Sequence, residues 1–249
     1  MQDSSGPVLR FVDDVREGTP IADLAAVTPG RTAADAAAAV LADPGLAGWL
    51  LSTDNPSLAA RLIRVGAKPR RHAFVMQRDL REALDEPEAD ARLRLMPMPD
   101  ADDRGGWEAV LPSWRDAYPP DHPDHFPGDD DTAVAFLRRL VDGSELGRFH
   151  PASTLLADSG GRPVAGVMIN VRLQDPPLGG PWIADIWRDP SLRGAGVGSL
   201  LIGRACRVLA EDGFATLGLT VTQGNPARRS YERAGFRVVA ESQTVLLPG

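Results

Sequence analysis

The sequence predicts an α/β fold of the α+β type, and three observations predict it. After residue 92, segments of strand-like and helix-like hydrophobic periodicity alternate. A glycine-rich turn at 193–199 joins a strand-like segment to a helical one. The N-terminal part repeats the order of elements seen in the C-terminal part. A chain of 249 residues, 43% of them hydrophobic, is long and apolar enough for one large domain or two small ones with packed cores.

The elements follow in order. Alternation of Leu93 and Leu95 predicts a strand at 92–96. Helical periodicity predicts helices at 107–118 and 130–141, the second with Val134, Leu137 and Leu140 on one face and Asp130 or Asp131 as its cap. Between them Pro119, Pro120, Pro123 and Pro127 exclude a regular helix, because proline removes an amide donor and clashes with the preceding turn. Strands at 154–157 and 164–171 flank a hairpin turn at Ser159-Gly160-Gly161-Arg162. A strand at 182–188 leads into the glycine-rich turn and a helix at 199–211, which Gly213 stops. A strand at 217–221, a short helix at 225–234 ending at Gly235, and a strand at 237–246 complete the chain.

Laid over this pattern, Gly30 falls on Gly198, the helix 31–42 on 199–210, Gly45 on Gly213, and 49–51 on 217–219. With one residue inserted, Asn55-Pro56 matches Asn225-Pro226 and Gly66 matches Gly235. This predicts an internal repeat. The charged, turn-forming stretch 81–91, with Asp85, Glu86, Pro87, Glu88 and Asp90, predicts the linker, so the domains are expected at 1–84 and 85–249.

Composition excludes several classes. The single cysteine rules out an intrachain disulfide framework and makes a cysteine-based zinc site improbable; the four histidines lack ligand spacing, so no metal is expected. A net charge of −7 argues against nucleic-acid binding, which needs a basic face. It suits a soluble protein and accords with a cationic partner. With no apolar run long enough to cross a bilayer and no signal-peptide pattern at the start, a cytoplasmic location without membrane attachment is expected. Lys68 is the sole lysine, and abundant Arg, Ala, Gly and Pro suggest a GC-rich bacterial source.

The chemically informative stretch is Arg193-Gly194-Ala195-Gly196-Val197-Gly198-Ser199. Glycines let the backbone turn tightly and approach a ligand. Amides at a helix start, at the positive end of the macrodipole, suit a phosphate or pyrophosphate, and Arg193 adds a fixed positive charge. The spacing is neither that of a P-loop nor of a dinucleotide fingerprint. Glycines that merely permit close helix packing would give the same pattern.

Arg193-x-x-Gly196-x-Gly198, preceded by Ile186-Trp187-Arg188-Asp189-Pro190, resembles the acetyl-CoA signature of the GNAT acetyltransferase superfamily. Asn225-Pro226-Ala227-Arg228-Arg229-Ser230-Tyr231-Glu232-Arg233-Ala234-Gly235-Phe236 is similar to that family's later Asn…Tyr-Glu-x-x-Gly-Phe segment. The resemblance covers residue 92 onward in element order and is sharp from 182 to 239. It implies the GNAT fold, a mixed central sheet flanked by helices, with a smaller GNAT-like half unit at the N-terminus. It also implies acetyl-CoA as co-substrate and transfer of the acetyl group to an amine, by direct attack. The backbone of Ile186, Trp187 and Arg188 would pair with the pantetheine arm like an added strand. The amides of Gly194, Ala195, Gly196, Val197, Gly198 and Ser199 would hold the pyrophosphate beside Arg193, and Asn225 would lie along the arm.

The chemistry asks for a base and an acid. An alkylamine of pKa ~10 is mostly protonated at neutral pH, so a base or a water chain must take its proton. The oxyanion needs a donor, for which a strand amide near Trp187 or Arg188 would serve. A tyrosine of pKa ~10 can protonate a thiolate of pKa ~8.5 at a cost of about 2 kcal/mol, and Tyr231 is the candidate acid. Asp185, on the strand before the turn, is the candidate base, with a solvated or salt-bridged strand residue as an equal alternative. Many relatives carry a glutamate on the strand before the Asn, where this chain has Thr220 and Thr222, which favours a water relay. Arg188 stands where an aliphatic residue is usual and is expected to steer a substrate carboxylate or to pair with Asp185. His122, His125 and the aspartates of 118–131 could bind a cation or act as base, but such a run more often is a solvated loop. Cys206, mid-helix, reads as a packing residue.

The N-terminal copy is expected to be degenerate. Its turn, Ala25-Ala26-Val27-Thr28-Pro29-Gly30, has one glycine, no arginine and a proline that removes a donor, and Leu62 stands in the place of Tyr231. Read as spanning 6–79, it is too short to supply the early strands. A CoA-binding regulatory or scaffold protein, and an acetyltransferase of protein N-termini, are the competing functions; a homodimer stays open because tandem units can mimic one.

Overall fold

The computed structural model describes residues 2–3, 6–16, 18–83, 90–174 and 178–249. They form two units, one of Met1–Phe74 with Ala240–Gly249 and one of Val75–Val239. The expected boundary after residue 84 falls at 84–89, outside the described residues.

In the first unit β1 (Gln2–Asp3) pairs with β2 (Gly6–Pro7), and β3 (Leu9–Arg16) forms an antiparallel hairpin with β4 (Thr19–Val27). This hairpin corrects the expectation that the segment lacks early strands. Val12 and Val15 face solvent and the register shifts between Arg10 and Val12, so the period-two pattern is broken in the sequence. Helix α1 (Ala33–Ala42) starts with a capping box: the Thr32 hydroxyl accepts the Asp35 amide and the Asp35 carboxylate accepts the Thr32 amide, at 3.2 and 2.9 Å. Strand β5 (Leu50–Thr53) runs parallel to β4, with Ile21 opposite Leu50. In α2 (Pro56–Arg64) Asn55 caps the Leu58 amide at 3.0 Å and Pro56 takes the first turn, where its missing N–H costs nothing. Ala36, Val40, Leu51, Leu58, Leu62, Val245 and Leu247 are buried in this unit's core. The chain leaves along β6 (Lys68–Asp79).

The second unit holds β7 (Arg94–Met96), α3 (Arg104–Ala117), α4 (Asp130–Asp142), β8 (Arg148–Phe149), β9 (Thr154–Ala157), β10 (Pro163–Arg172) and β11 (Gly180–Arg188). Then come α5 (Val197–Glu211), β12 (Thr216–Thr222), α6 (Arg228–Arg233) and β13 (Arg237–Leu246). Residues 240–246 of β13 belong to the first unit, where Gln243 to Leu246 pair with β5. The sheet order is β12-β11-β10-β9-β7, with β8 on the far end of β10. It is mixed, because β11 and β12 are parallel and the other pairs antiparallel. Trp107, Val110, Leu137, Leu140, Met168 and Trp187 bury the face between the sheet and helices α3 and α4.

Helix α4 starts where expected but with a different cap, whereas α1, α3, α5 and α6 start at Ala33, Arg104, Val197 and Arg228 rather than at 31, 107, 199 and 225. Asp129, not Asp130 or Asp131, caps α4: its backbone is extended and its Oδ1 accepts the Thr132 amide at 2.8 Å. Asp130 and Asp131 sit in the first turn, where the helix dipole favours negative charge. Helix α6 begins at Arg228 rather than at residue 225, because Asn225 folds back to accept the Ala227 amide at 2.8 Å.

The two strands that frame the site diverge. β11 pairs with β12 only at Trp182 and Ile183. The next residue, Ala184, is the extra residue of a bulge, since Ile183 lies opposite Ile169 and Asp185 opposite Met168. Beyond the bulge β11 keeps β10 on one edge and has left β12 on the other. Indole rings lie over glycines on both neighbours of β11. A Cβ on Gly166 would meet the Trp187 ring at 2.5 Å, and one on Gly218 would meet the Trp182 ring at 2.5 Å.

Candidate active site

The turn into α5 is built to leave amides exposed. Asp189 accepts the Ser191 amide at 2.9 Å, fixing the short helical turn that precedes it. Gly194 and Gly196 then take φ of 83° and 73°, which side-chain-bearing residues adopt with difficulty. Gly196 is the N-cap of α5 and offers no capping side chain. Among the described residues, no protein acceptor takes the amides of Gly196, Val197, Gly198 or Ser199. A Cβ placed on Gly194, Gly196 or Gly198 would touch nothing within 4 Å, so an anion can come up to this backbone. Arg193 is exposed beside it. Arg188 is close enough for the Arg193 charge, after burial, to lower its pKa. Two cations that repel each other beside unpaired amides make a fitting seat for a diphosphate.

The second cluster lies where β11 leaves β12. Asp185, just past the bulge, accepts the Trp114 indole N–H on Oδ2 at 2.8 Å and the Tyr118 hydroxyl on Oδ1 at 2.5 Å. Burial raises its pKa, and these donors offset only part of that rise. The Tyr118 hydroxyl is shared with the Ile186 carbonyl at 2.9 Å. Burial, then the Asp185 charge, holds Tyr118 well above the usual phenol range. Tyr231 is buried in α6, and among the described residues its hydroxyl has no hydrogen-bond partner. Burial, followed by the charges of Asp185 and Asp124, pushes its pKa up, so it stays protonated at any working pH.

Asp124 enters from the loop between α3 and α4. Its carboxylate accepts the Thr222 hydroxyl and, at 2.8 Å, the Asn225 amide. The proline-rich loop that carries it was expected to be solvated, yet it is well tied. Arg115 donates to the carbonyls of Phe126 and Gly128 at 2.9 and 2.6 Å. His125 Nδ1 donates to the Tyr118 carbonyl at 2.8 Å, and the Asp124 amide donates to His122 Nδ1 at 3.1 Å. Burial lowers the His122 pKa, which keeps its ring neutral and stacked edge-on to Tyr118, 5.1 Å between centroids.

The residues singled out in the sequence therefore fall into two groups, and a third group joins them. Arg193 and residues 194–199 lie together at the start of α5, where the amide of Ala195, expected to be available to a pyrophosphate, is instead taken by the Leu192 carbonyl at 3.2 Å. Asp185 and Tyr231 lie in the carboxylate–tyrosine cluster, where the Asp185 charge adds to burial in raising the Tyr231 pKa. Trp114, Tyr118 and Asp124 complete that cluster and carry no local motif. Arg188 does not pair with Asp185, whose oxygens are taken by Trp114 and Tyr118; its guanidinium donates to the Asp189 carbonyl at 3.4 Å. The Ile186 carbonyl already serves Tyr118, and the Asn225 side chain already serves Asp124 and Ala227. Cys206 is buried and its thiol is pushed up to about 11 by burial, in keeping with a packing residue.

A profile of the Acetyltransferase (GNAT) family matches residues 107–236, which contain both clusters. The chain belongs to the GNAT acetyltransferase family. GNAT enzymes are acyltransferases that use acetyl-CoA. A ribosomal protein bS18-alanine N-acetyltransferase of Haemophilus influenzae is 44% identical over 50 residues, which cover 20% of this chain and 34% of that protein. Among solved structures, a tandem GNAT protein from the clavulanic acid biosynthesis pathway, without acetyl-CoA, superposes with a TM-score of 0.63 at 14% identity, covering 98% of this chain and 80% of that one. A GCN5-related N-acetyltransferase from Kribbella flavida gives 0.59 at 18% identity, over 98% and 88%. One from Sphaerobacter thermophilus gives 0.55 at 19% identity, over 83% of this chain and 62% of that one. At these identities the likeness is one of fold. The tandem neighbour fits the presence of an N-terminal half unit.

Proposed function

We propose that the chain is an acetyl-CoA-dependent N-acetyltransferase that passes the acetyl group directly to the amine of a small molecule. In this reading residues 85–249 are catalytic and residues 1–84 are a degenerate, structural GNAT-like half unit. The observation that carries it is the pairing of an uncapped helix start, at Gly196, with a buried tyrosine–carboxylate cluster made by Asp185 of β11 and Tyr231 of α6. The N-terminal counterpart supports the division of labour. At α1 the amide of Asp35 is taken by the Thr32 hydroxyl and the turn before it holds Pro29, so no comparable seat exists there.

Bound acetyl-CoA supplies an activated acyl group as a thioester. The amides of Gly194 and of 196–199, with Arg193, hold its diphosphate, the Ala195 amide being engaged by the Leu192 carbonyl, and the free edge of β11 at Trp187 and Arg188 offers hydrogen bonds to its arm. Ile186 and Asn225 share that duty with the side chains they already bind. Asp185 takes a proton from the amine, directly or through water, as the nitrogen bonds to the acyl carbon. Its raised pKa makes it a better base for that task than an ordinary aspartate. Tyr231 gives its Oη proton to the sulfur as the bond to the acyl carbon breaks, and exchange with solvent returns both groups to their starting states. The burial and negative charge that raise the Tyr231 pKa also raise the proton affinity of a thiolate formed beside it, so donor and acceptor remain matched.

The test is thiol release from acetyl-CoA with an amine panel, alongside calorimetry with the cofactor. The panel includes peptides with free N-terminal alanine, because the Haemophilus influenzae relative is named for that acceptor. Tyr231→Phe is expected to lower kcat by about 100-fold or more, with the acetyl-CoA Kd within threefold of wild type. Cofactor binding without turnover for any amine would instead favour a CoA-binding regulatory protein.

A further inference from the structure

The two donors on Asp185 are not equivalent. The Trp114 indole N–H, 2.8 Å from Oδ2, can only donate. The Tyr118 hydroxyl, 2.5 Å from Oδ1, can donate and accept. Oδ1 can therefore gain a proton and keep its hydrogen bond, by turning from acceptor to donor. Tyr118 has one proton to give and two acceptors in reach, Oδ1 and the Ile186 carbonyl at 2.9 Å. That carbonyl lies on the open edge of β11. The Asp189 amide donates to the Val164 carbonyl at 2.7 Å, and hydrogen-bonded pairs alternate along an antiparallel ladder. Trp187 therefore bonds to Gly166, and Ile186, opposite Val167, turns its N–H and C=O away from β10. On that side β11 has already left β12, with which it pairs at Trp182 and Ile183.

Resting on the acetyltransferase reading, we infer that Tyr118 is a positioning residue that couples the proton on Asp185 to the cofactor edge of β11: its hydroxyl donates to Asp185 while the carboxylate is ionised, and to the Ile186 carbonyl once Asp185 has taken the proton of the attacking amine. The amine N–H bond breaks, an O–H bond forms on Oδ1, and that O–H donates to the Tyr118 Oη. The Tyr118 O–H bond stays whole and only turns. With Asp185 ionised, the Ile186 carbonyl is open to an amide of the pantetheine arm. With Asp185 protonated, Tyr118 occupies it. Capture of the amine's proton thus loosens the strand's hold at the stage when CoA must leave. The titratable groups that face this trio are Tyr231 of α6 and, from the loop between α3 and α4, Asp124 and His122. His125 of the same loop meets the Tyr118 carbonyl. These groups and the phosphates of acetyl-CoA are common to every protein compared below, so differences between variants at one pH report on Tyr118 and Asp185.

The test is the acetyl-CoA Kd, by calorimetry across pH 4–8, for wild type, Tyr118→Phe and Asp185→Asn. Tyr118→Phe leaves the Ile186 carbonyl open at every pH. The Asn side chain of Asp185→Asn donates to Tyr118 Oη and keeps the hydroxyl on Ile186 at every pH. Wild type is expected to bind about fivefold more tightly than Asp185→Asn at pH 8, the worth of about one net hydrogen bond, and to lose most of that advantage at pH 4. Tyr118→Phe is expected to keep the advantage at both ends of the range. A hydroxyl that only packs would cost affinity when removed. Tyr118→Phe that binds no more tightly than wild type at pH 4, or a wild-type advantage that does not change with pH, overturns the inference. A second measurement needs no cofactor: the carbon-13 resonance of the Ile186 carbonyl is followed by NMR through the titration of Asp185. It is expected to move in wild type and in Trp114→Phe, and to lose most of that movement in Tyr118→Phe. A wild-type resonance that stays still, or one that moves equally in Tyr118→Phe, overturns the inference whatever the enzyme does. If the protein binds no acetyl-CoA, the acetyltransferase reading is the one that fails, and the carbonyl resonance alone decides the role of Tyr118.

Discussion

At the scale of single residues, the site rests on how burial moves protons. Asp185 sits between an indole N–H and a phenol O–H, both of which favour its charged form, yet burial outweighs them. The folded protein therefore binds this proton more tightly than the unfolded chain does. The stability linked to it is present at acid pH and is lost as pH rises through the raised pKa. Asp185→Asn removes that dependence, so the Tm difference between the variant and wild type should shift in favour of the variant as pH is raised from 4 to 7. The same substitution should abolish the acidic limb of the kcat/KM profile and lower its plateau by about 100-fold. A limb that survives unchanged in the variant would mean that another group titrates. Tyr231 and Asp185 were legible because they lie in or next to local motifs. Tyr118 was not, and Asp124 only as one of the aspartates of 118–131, since what joins them to the cluster is contact with Ile186, Thr222 and Asn225, all far along the chain. A tyrosine at the end of a helix just before two prolines was a visible signal, but periodicity gives it no role.

At the scale of elements, the bulge at Ala184 and the glycine–tryptophan pairs set the geometry. Trp187 can lie flat across β10 only because Gly166 has no side chain, and its indole N–H reaches Ser113 of α3 at 3.2 Å. Gly166→Ala places a carbon 2.5 Å from the ring and 2.8 Å from Leu155, so the ring and α3 must move. The expected cost is about 1–3 kcal/mol of stability, read as a lowered denaturation midpoint, with a loss of turnover because α3 also carries Trp114 and the start of the Asp124 loop. Strands and helices with unbroken periodicity, such as β9, β13 and α4, could be read from the sequence nearly to the residue. The β3–β4 hairpin could not, because its valines face outward and a register shift interrupts its alternation. The start of α6 was misplaced because Asn-Pro, a helix start at Asn55, forms a separate turn at Asn225.

At the scale of the whole molecule, both units run through hairpin, turn, helix, parallel strand and helix, and that shared order was legible as a repeat of glycines and Asn-Pro pairs. What the repeat does not reveal is that the last ten residues of the chain belong to the first unit. Val245 and Leu247 are buried in its core, and Gln243 to Leu246 complete the pairing of β5. Deleting residues 241–249 should therefore raise amide hydrogen exchange at Leu50–Thr53 by at least about 100-fold, the loss of two buried aliphatic side chains being worth several kcal/mol. Exchange at those amides equal to that of the full chain would show that the C-terminal strand contributes nothing there.

The contrast between the two helix starts has one more consequence. The chain closes α1 with its own threonine and aspartate, but at α5 it leaves the same job undone. An anion settling on Gly196 to Ser199 completes the helix that the sequence itself leaves unfinished. If the proposed cofactor site lies here, a residue that finished α5 from within is expected to make the protein sturdier while blocking the cofactor's diphosphate.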